Sequence, residues 1–252
     1  MSPLHGGCRG FDPLFAHCQF TMTPMKLRNA ILAGLMFGMA HGLSVQANES
    51  KITKGYNTMD SMGCMLLGEC TDGVKKVYSM LDISSEYPNA EEFTGVTGEF
   101  HNMIHSLNQI GVNVFLSDSK YFPEGHRGVY HTVSNNFFLN KDYMGKPGTL
   151  MMVMRHEGWH AAQDCMAGTI NNSLIAIIKP EDEVPMIWRV LAERTYPSNA
   201  VPWEAEAGWA GRTENMTMNA LAACAGGKMW EVYEPTPLTR KYLEDNGYIK
   251  PE

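Results

Sequence analysis

Apolar residues recur at helical spacing along residues 91–110. The positions are Phe93, Val96, Phe100, Ile104, Leu107 and Ile110. They lie three or four residues apart, which is typical of an amphipathic α-helix. Gly95 and Gly98 weaken the start of the pattern, because glycine disfavours a helix interior. Gly111 follows the last apolar position, where glycine commonly ends a helix. The pattern predicts a helix over residues 91–110.

Other segments predict a mixture of strands and helices. Residues 112–116 are rich in β-branched and apolar side chains and predict a strand, while residues 128–134 and 136–140 predict two further strands or one bent strand. Helices are expected over residues 74–81, 150–166, 184–194 and 202–223, the last beginning at Pro202, a favoured first-turn residue. Residues 48–72 are polar and glycine-rich, so we expect them to be irregular. The fold class expected from this mixture is α+β.

The first fifty residues resemble an export signal. Lys26 and Arg28 precede an apolar run over residues 30–43, and small residues at 45 and 47 suit cleavage after Ala47. We therefore expect residues 1–24 to be an upstream extension, 25–47 a signal peptide, and 48–252 a single domain that is secreted or periplasmic. The alternative is a buried N-terminal helix. The run of about 14 residues is shorter than the roughly 20 of a membrane-spanning helix, so no permanent membrane span is expected.

Composition narrows the class of partner. The net charge is −7 and the basic residues are scattered, which argues against nucleic acid. Four of the six cysteines follow the signal segment, and an even number in an exported chain favours two disulfides. Of the three possible connectivities we prefer Cys64–Cys70 with Cys165–Cys224. Four free buried thiols are the alternative.

The main chemical signal is His156-Glu157-Gly158-Trp159-His160, an HExxH motif on a predicted helix. Histidines four residues apart share one helix face and can bind the same Zn²⁺, while the intervening glutamate is placed as general base. A catalytic zinc usually has three protein ligands. We expect the third to be Glu204, in the first turn of the next strongly predicted helix, with Glu206 and Glu193 as alternatives.

At these residues the chain resembles the zincin superfamily of zinc metallopeptidases, in its glutamate-ligand (gluzincin) branch. In several of its families a later helix carries a glutamate ligand followed by Ala and then Asp or Asn. Glu204 and Ala207 match this pattern, but Gly208 replaces the acidic or amide residue. A third histidine at the spacing of the metzincin branch is absent after His160. The resemblance implies a small mixed or antiparallel sheet packed on the motif helix, a helical C-terminal part, and an edge strand at residues 128–134 or 136–139 that aligns a peptide substrate.

The expected function is an exported zinc metallopeptidase that hydrolyses peptide bonds in a peptide or protein substrate. A zinc-activated water would be the nucleophile, with Glu157 as its general base. His131, Tyr143 and Tyr196 are candidates for stabilising the oxyanion. His101 and His105 repeat the histidine spacing, but a half-exposed helix face explains them better than a second metal site. The alternatives are an exported non-catalytic binding or structural protein on the same scaffold, and an intracellular protease if the export signal is wrong.

Overall fold

One four-stranded mixed sheet forms one side of the molecule. The computed structural model describes residues 58–251, so the predicted extension and signal peptide lie outside the described residues. The strands are β1 (Val74–Lys76), β2 (Asn113–Ser117), β3 (Gly128–His131) and β4 (Asn136–Asn140). Their order is β1-β2-β4-β3, with β2 and β4 parallel and the other two pairs antiparallel. Within this sheet β3 is an edge strand and β4 is internal, so of the two segments considered as an edge strand only β3 lies at an edge.

Helices make up most of the remaining structure. Before and between the strands lie α1 (Thr58–Leu66), α2 (Leu81–Ser84) and α3 (Thr97–Gln109), with 3₁₀ turns at Ala90–Val96, Ser119–Tyr121 and Lys141–Tyr143. After the sheet come α4 (Pro147–Met166), α5 (Met186–Thr195), α6 (Val201–Arg212), α7 (Met216–Ala225), α8 (Met229–Val232) and α9 (Pro237–Asp245). The described chain is therefore α+β with a helical C-terminal part, as the sequence predicts.

Helix α4 is the centre of the molecule. It has 20 residues, begins with Pro147 in its first turn, and is buried on nearly every face. It packs against α3, α6 and α7 as well as against strand β3. Because it is enclosed on all sides, polar side chains on α4 must find partners inside the protein. The helix predicted over residues 150–166 is confirmed, and its burial determines the properties of the site described below.

Helix α3 confirms the main part of the predicted 91–110 helix. The chain enters it through a 3₁₀ turn, Ala90–Val96, instead of a regular α-helical turn. At its other end Gly111 has φ of +89°. The N–H of Gly111 donates to Asn108 and the N–H of Val112 donates to Leu107, which is the Schellman pattern. Glycine is therefore needed at residue 111, because this backbone conformation is costly for other residues.

Three predictions about local structure are wrong. Residues 74–76 form strand β1 instead of a helix, because pairing with β2 satisfies their backbone groups. Residues 58–66 form helix α1 although the segment 48–72 was expected to be irregular. The predicted helix over residues 202–223 is two helices, α6 and α7, separated at Asn215, whose φ is +63°. Asparagine tolerates this left-handed conformation, and its N–H donates to Glu99 Oε1.

Among the described residues there are two disulfides, and they are the predicted pair of bonds. Cys64 is joined to Cys70 beside α1, and Cys165 near the end of α4 is joined to Cys224 of α7. Disulfides fit a secreted or extracellular protein, because oxidising compartments preserve them. Within residues 58–251, no helix has the length and apolar character needed to cross a membrane.

Candidate metal centre

Two helices bring three potential metal ligands together. His156 and His160 lie one turn apart on α4, and Glu204 lies in the first turn of α6. The two Nε2 atoms are 3.3 Å apart. Glu204 Oε2 is 3.5 Å from Nε2 of His156 and 3.6 Å from Nε2 of His160. Among the described residues these three side chains form a cluster that could hold a metal ion. This is the ligand set that the sequence predicts.

The spacing of these atoms fits a small divalent ion. In a tetrahedral zinc site with bonds of 2.0–2.1 Å, neighbouring ligand atoms are about 3.3 Å apart. The three measured separations are 3.3, 3.5 and 3.6 Å, close to one face of such a tetrahedron. Imidazole nitrogens with one carboxylate oxygen are donors that zinc accepts. The residues therefore fit a zinc ion without rearrangement of the two helices, although they do not identify the metal.

The charges of the cluster favour a cation. Burial raises the pKa of Glu204, but the two neighbouring imidazoles outweigh it and lower that pKa well below the usual range of glutamate. Burial lowers the pKa of His160, but the Glu204 carboxylate raises it to about 9. The pKa of His156 is lowered by burial, against a hydrogen bond to Glu204. A buried anionic carboxylate thus needs one positive charge beside it, which a bound metal ion would supply.

Glu157 lies beside the cluster and is held by strand β3. The backbone N–H of Tyr130 donates to Glu157 Oε2 over 2.9 Å. Burial raises the pKa of Glu157 to about 8, and the nearby Glu204 adds to this effect. Strand and helix are in close contact here, since a Cβ atom on Gly128 would lie 3.2 Å from Glu157 Cγ. The carboxyl group is therefore held beside the ligands, and burial favours its protonated form.

The other two candidates for third ligand lie elsewhere. Glu206 is buried on α6 and accepts hydrogen bonds from Gln163, Trp159 and the backbone N–H groups of Ile178 and Lys179. Burial raises its pKa, while these hydrogen bonds oppose the rise. Glu193 is exposed on α5. Among the three glutamates considered, the structure places Glu204 in the cluster.

The departure from the family pattern at residue 208 has a packing explanation. A Cβ atom on Gly208 would lie 3.1 Å from Cε3 of Trp188, on α5. A larger side chain at this position would therefore have to displace the indole. Ala207 is fully buried, and a hydrogen bond with its backbone opposes the lowering of the His156 pKa by burial. Glycine at residue 208 thus allows α5 to pack closely on α6.

The remaining candidates have other contacts. His131 Nδ1 is 2.7 Å from Ser134 Oγ, and the guanidinium of Arg127 lies over the ring of Tyr143. Tyr196 follows the last turn of α5. An oxyanion role for His131, Tyr143 or Tyr196 stays a prediction. His101 Nε2 accepts a hydrogen bond from the Met80 N–H.

Sequence reasoning missed three residues around the cluster. Gln163 contacts His160, Tyr130 contacts Glu157, and Asp164 accepts a hydrogen bond from the Tyr130 hydroxyl over 2.9 Å. Gln163 and Asp164 follow His160 by three and four positions, the spacing that puts helical side chains beside one another. That spacing could have indicated from the sequence that Gln163 and Asp164 lie beside His160. Nothing in the sequence pairs Tyr130 with α4.

Comparisons of the chain with models of protein families, with curated proteins and with solved structures find no match. The resemblance to zincins therefore depends on the motif and the predicted ligands.

Proposed function

We propose that this protein is an exported zinc-dependent metallopeptidase, with His156, His160 and Glu204 as metal ligands and Glu157 as general base. One observation carries the proposal: a buried carboxyl group lies next to a metal-ligand cluster of three residues. Structural zinc sites usually have four protein ligands, whereas catalytic sites have three and an open position. Three ligands with an adjacent proton acceptor are what metal-assisted hydrolysis requires.

The position of Glu157 suits a proton-transfer role. Its Oε2 is held by the Tyr130 N–H, so the carboxyl group keeps a fixed orientation. Burial raises the pKa of Glu157 to about 8, and a general base is most effective when its pKa lies near the operating pH. When bound, a zinc ion would polarise the scissile carbonyl and activate a water molecule at its free position. Glu157 would accept a proton from that water and donate it to the leaving amine.

A peptide substrate that extended the sheet would have to add to the outer edge of strand β3. The N–H of Asn140 donates to the carbonyl of Arg127, so this pair is hydrogen-bonded between β4 and β3. Because hydrogen-bonded positions alternate in an antiparallel pair, the backbone groups of Gly128 and Tyr130 point away from β4. This outer edge is the one that meets Glu157. Because Gly128 packs against α4 and Glu157 already accepts the Tyr130 N–H, a peptide that extended the sheet there would first have to displace these contacts.

A second candidate function is favoured by the burial of the centre. His156 and His160 are 0% exposed, Glu157 is 1% exposed, and Glu204 is 3% exposed. A peptide must reach these groups to be cleaved, whereas a metal with a structural role needs no access. An exported binding or structural protein that uses its metal for stability is therefore the alternative.

Zinc content measured together with peptide cleavage tests both functions. The oxidised protein would be purified, loaded with Zn²⁺, and incubated with a broad peptide library whose products are identified by mass spectrometry. We expect about one zinc per chain and cleavage that Glu157→Gln reduces by at least 100-fold, since general base catalysis contributes about 10²–10⁴. The matched control is Glu91→Gln, because Glu91 is exposed and lies outside the cluster.

The outcomes separate the two functions. Zinc retained by both variants, with cleavage lost only in Glu157→Gln, supports the peptidase. Zinc retained without any cleavage by the unsubstituted protein supports the binding or structural protein. A protein that binds no zinc would overturn both.

A further inference from the structure

Gln163 connects a metal ligand to a buried carboxylate. Its Nε2 lies 2.7 Å from Glu206 Oε2 and 3.1 Å from the backbone carbonyl oxygen of Trp203. Both of these groups only accept hydrogen bonds, so the amide nitrogen of Gln163 must face them. The amide oxygen consequently faces the opposite direction, where it lies 2.8 Å from Nδ1 of His160. The orientation of Gln163 is therefore determined by Glu206 and Trp203.

This orientation determines which nitrogen of His160 carries a proton. An amide oxygen can only accept, so Nδ1 of His160 must donate to it. A bound metal ion would replace the proton on the other ring nitrogen, whose electron pair would then face the ion. That nitrogen is Nε2, the atom that lies 3.3 Å from His156 Nε2 and 3.6 Å from Glu204 Oε2. Gln163 thus presents the metal-binding atom of His160 to the cluster.

Glu206 is itself held from three other directions. The indole N–H of Trp159 donates to its Oε2 over 3.1 Å, and the Ile178 N–H donates to its Oε1 over 3.0 Å. The N–H of Lys179 also donates to Oε1. All four partners of this 0% exposed carboxylate are donors, so they suit its ionised form. Glu206, at the end of this chain of hydrogen bonds, is therefore also held by residues 178 and 179, which lie outside α4 and α6.

We propose that Gln163 and Glu206 are positioning residues that fix the proton on Nδ1 of His160 and aim its Nε2 at the metal. This inference rests on the metal centre of the proposed function. We refer to His160, Gln163 and Glu206 as the relay. Partners of this kind typically contribute 10–100-fold to metal affinity.

Zinc affinity in matched variants tests the relay. Dissociation constants would be measured on the full, oxidised protein by competition with a chromophoric chelator. Gln163→Leu keeps the approximate size of the side chain but removes all three of its hydrogen bonds, and we expect it to weaken zinc binding by 10–100-fold. The control is Thr217→Val, which removes one buried hydrogen bond to the same helix, at the Arg155 carbonyl. We expect its zinc affinity to stay within about twofold of the unsubstituted protein.

A pair of compensating substitutions distinguishes a positioning role of Gln163 from a general loss of structure. Gln163→Glu still accepts from His160 but places a second carboxylate against Glu206, so zinc binding should weaken. Adding Glu206→Gln removes the repulsion between the two carboxylates, and the double variant should bind zinc more tightly than Gln163→Glu alone. A structural defect would instead accumulate, with the double variant weaker than either single variant.

The hydrogen on Nδ1 can be observed without metal. In ¹⁵N-labelled, metal-free protein the Nδ1–H of His160 should give a downfield proton signal that Gln163→Leu shifts or removes and Thr217→Val leaves unchanged. An unchanged signal together with an unchanged zinc affinity in Gln163→Leu would overturn the relay. If the unsubstituted protein binds no zinc, the proposed function fails, yet the proton signal still tests the relay.

Discussion

Tyr130 donates its backbone N–H to the Oε2 atom of Glu157, over 2.9 Å, and so ties the edge strand to the helix that carries the metal ligands. The same tyrosine donates its hydroxyl to Asp164, two turns further along α4. A single residue of β3 therefore contacts α4 on both sides of His160. The separation of strand and helix is fixed by these two hydrogen bonds.

Gly128 allows this close approach, and replacing it tests the contact. A Cβ atom at residue 128 would lie 2.6 Å from Val153 Cγ1 and 3.3 Å from the Phe138 carbonyl oxygen. We expect Gly128→Ala to lower the free energy of unfolding by about 1–3 kcal/mol, the usual effect of overpacking. Urea unfolding measures this value.

Gly148→Ala is the matched control for that substitution. Residue 148 is in the first turn of α4, and a Cβ atom there would have no neighbour within 4 Å. Since alanine favours a helix more than glycine, this variant should be equal in stability or more stable by up to about 1 kcal/mol. Equal losses in the two variants would contradict the close contact between β3 and α4.

Replacing Glu204 should affect metal binding far more than replacing Glu193. Glu204→Gln removes the anionic ligand from a 3% exposed site, while Glu193 is exposed on α5. We expect the first variant to weaken zinc binding by at least 100-fold, because a neutral amide is a poor zinc ligand. Glu193→Gln should bind zinc as the unsubstituted protein does. Calorimetric titration with Zn²⁺ measures both, and a strong effect of Glu193→Gln would mean that the third ligand is misassigned.

Asp164 should make stability depend on pH. Burial raises its pKa to about 8, although the hydrogen bond from Tyr130 opposes the rise. Its ordinary pKa is 3.8, so between these values the folded protein binds more protons at this site than the unfolded chain does. The contribution of Asp164 to stability is therefore greatest below pH 3.8 and decreases as the pH rises toward 8. The limiting slope is about 1.4 kcal/mol per pH unit.

Asp164→Asn removes this titration. The amide oxygen can still accept from Tyr130, so the variant should become more stable relative to the unsubstituted protein as the pH rises from about 4 to 8. The difference is measured by urea unfolding at a series of pH values. Asp182→Asn, at an exposed position, is the control and should show a constant difference. A constant difference for Asp164→Asn would show that the residue does not titrate in this range.

The two disulfides should contribute unequally to stability. Their sequence separations are 59 residues for Cys165–Cys224 and 6 for Cys64–Cys70. In the chain-entropy description, loops of these lengths correspond to about 4 and about 2 kcal/mol. Replacing both cysteines of each pair by alanine and measuring unfolding by guanidinium should give the larger loss for the longer loop. A larger loss for the Cys64–Cys70 pair would contradict the loop-length argument.

Local patterns predicted the fold well wherever packing and local preference agree. The 3.6-residue period predicted α3, and the composition of residues 112–116 and 136–140 predicted the strands β2 and β4. The helix predicted at residues 74–76 was wrong because strand β1 depends on pairing with β2, which lies some forty residues further along the chain. The break at Asn215 was missed, although residues 211–215 contain no large apolar side chain. The N–H that donates there to Glu99 is visible only in three dimensions.

The metal ligands were easier to predict from the sequence than the residues that form hydrogen bonds around them. Helical spacing alone places His156 and His160 on one face, and a first-turn carboxylate on the next strongly predicted helix was a restricted choice. Glu206 was considered as a ligand because its type and proximity to Glu204 suit that role. Its actual partners, the indole of Trp159 and the N–H groups of Ile178 and Lys179, lie 27 to 47 residues away in sequence. Contacts of that kind leave no periodic signal.

The positions of the ligands and of the disulfide have a consequence for the irregular segment 167–185. A metal held by His160 and Glu204 would be a crosslink whose loop overlaps the loop closed by Cys165 and Cys224. The stretch between residues 165 and 204 belongs to both loops and would be restrained near both of its ends. It lacks regular structure up to α5. Removing the metal should therefore increase hydrogen exchange in this segment before it affects α4 or α7.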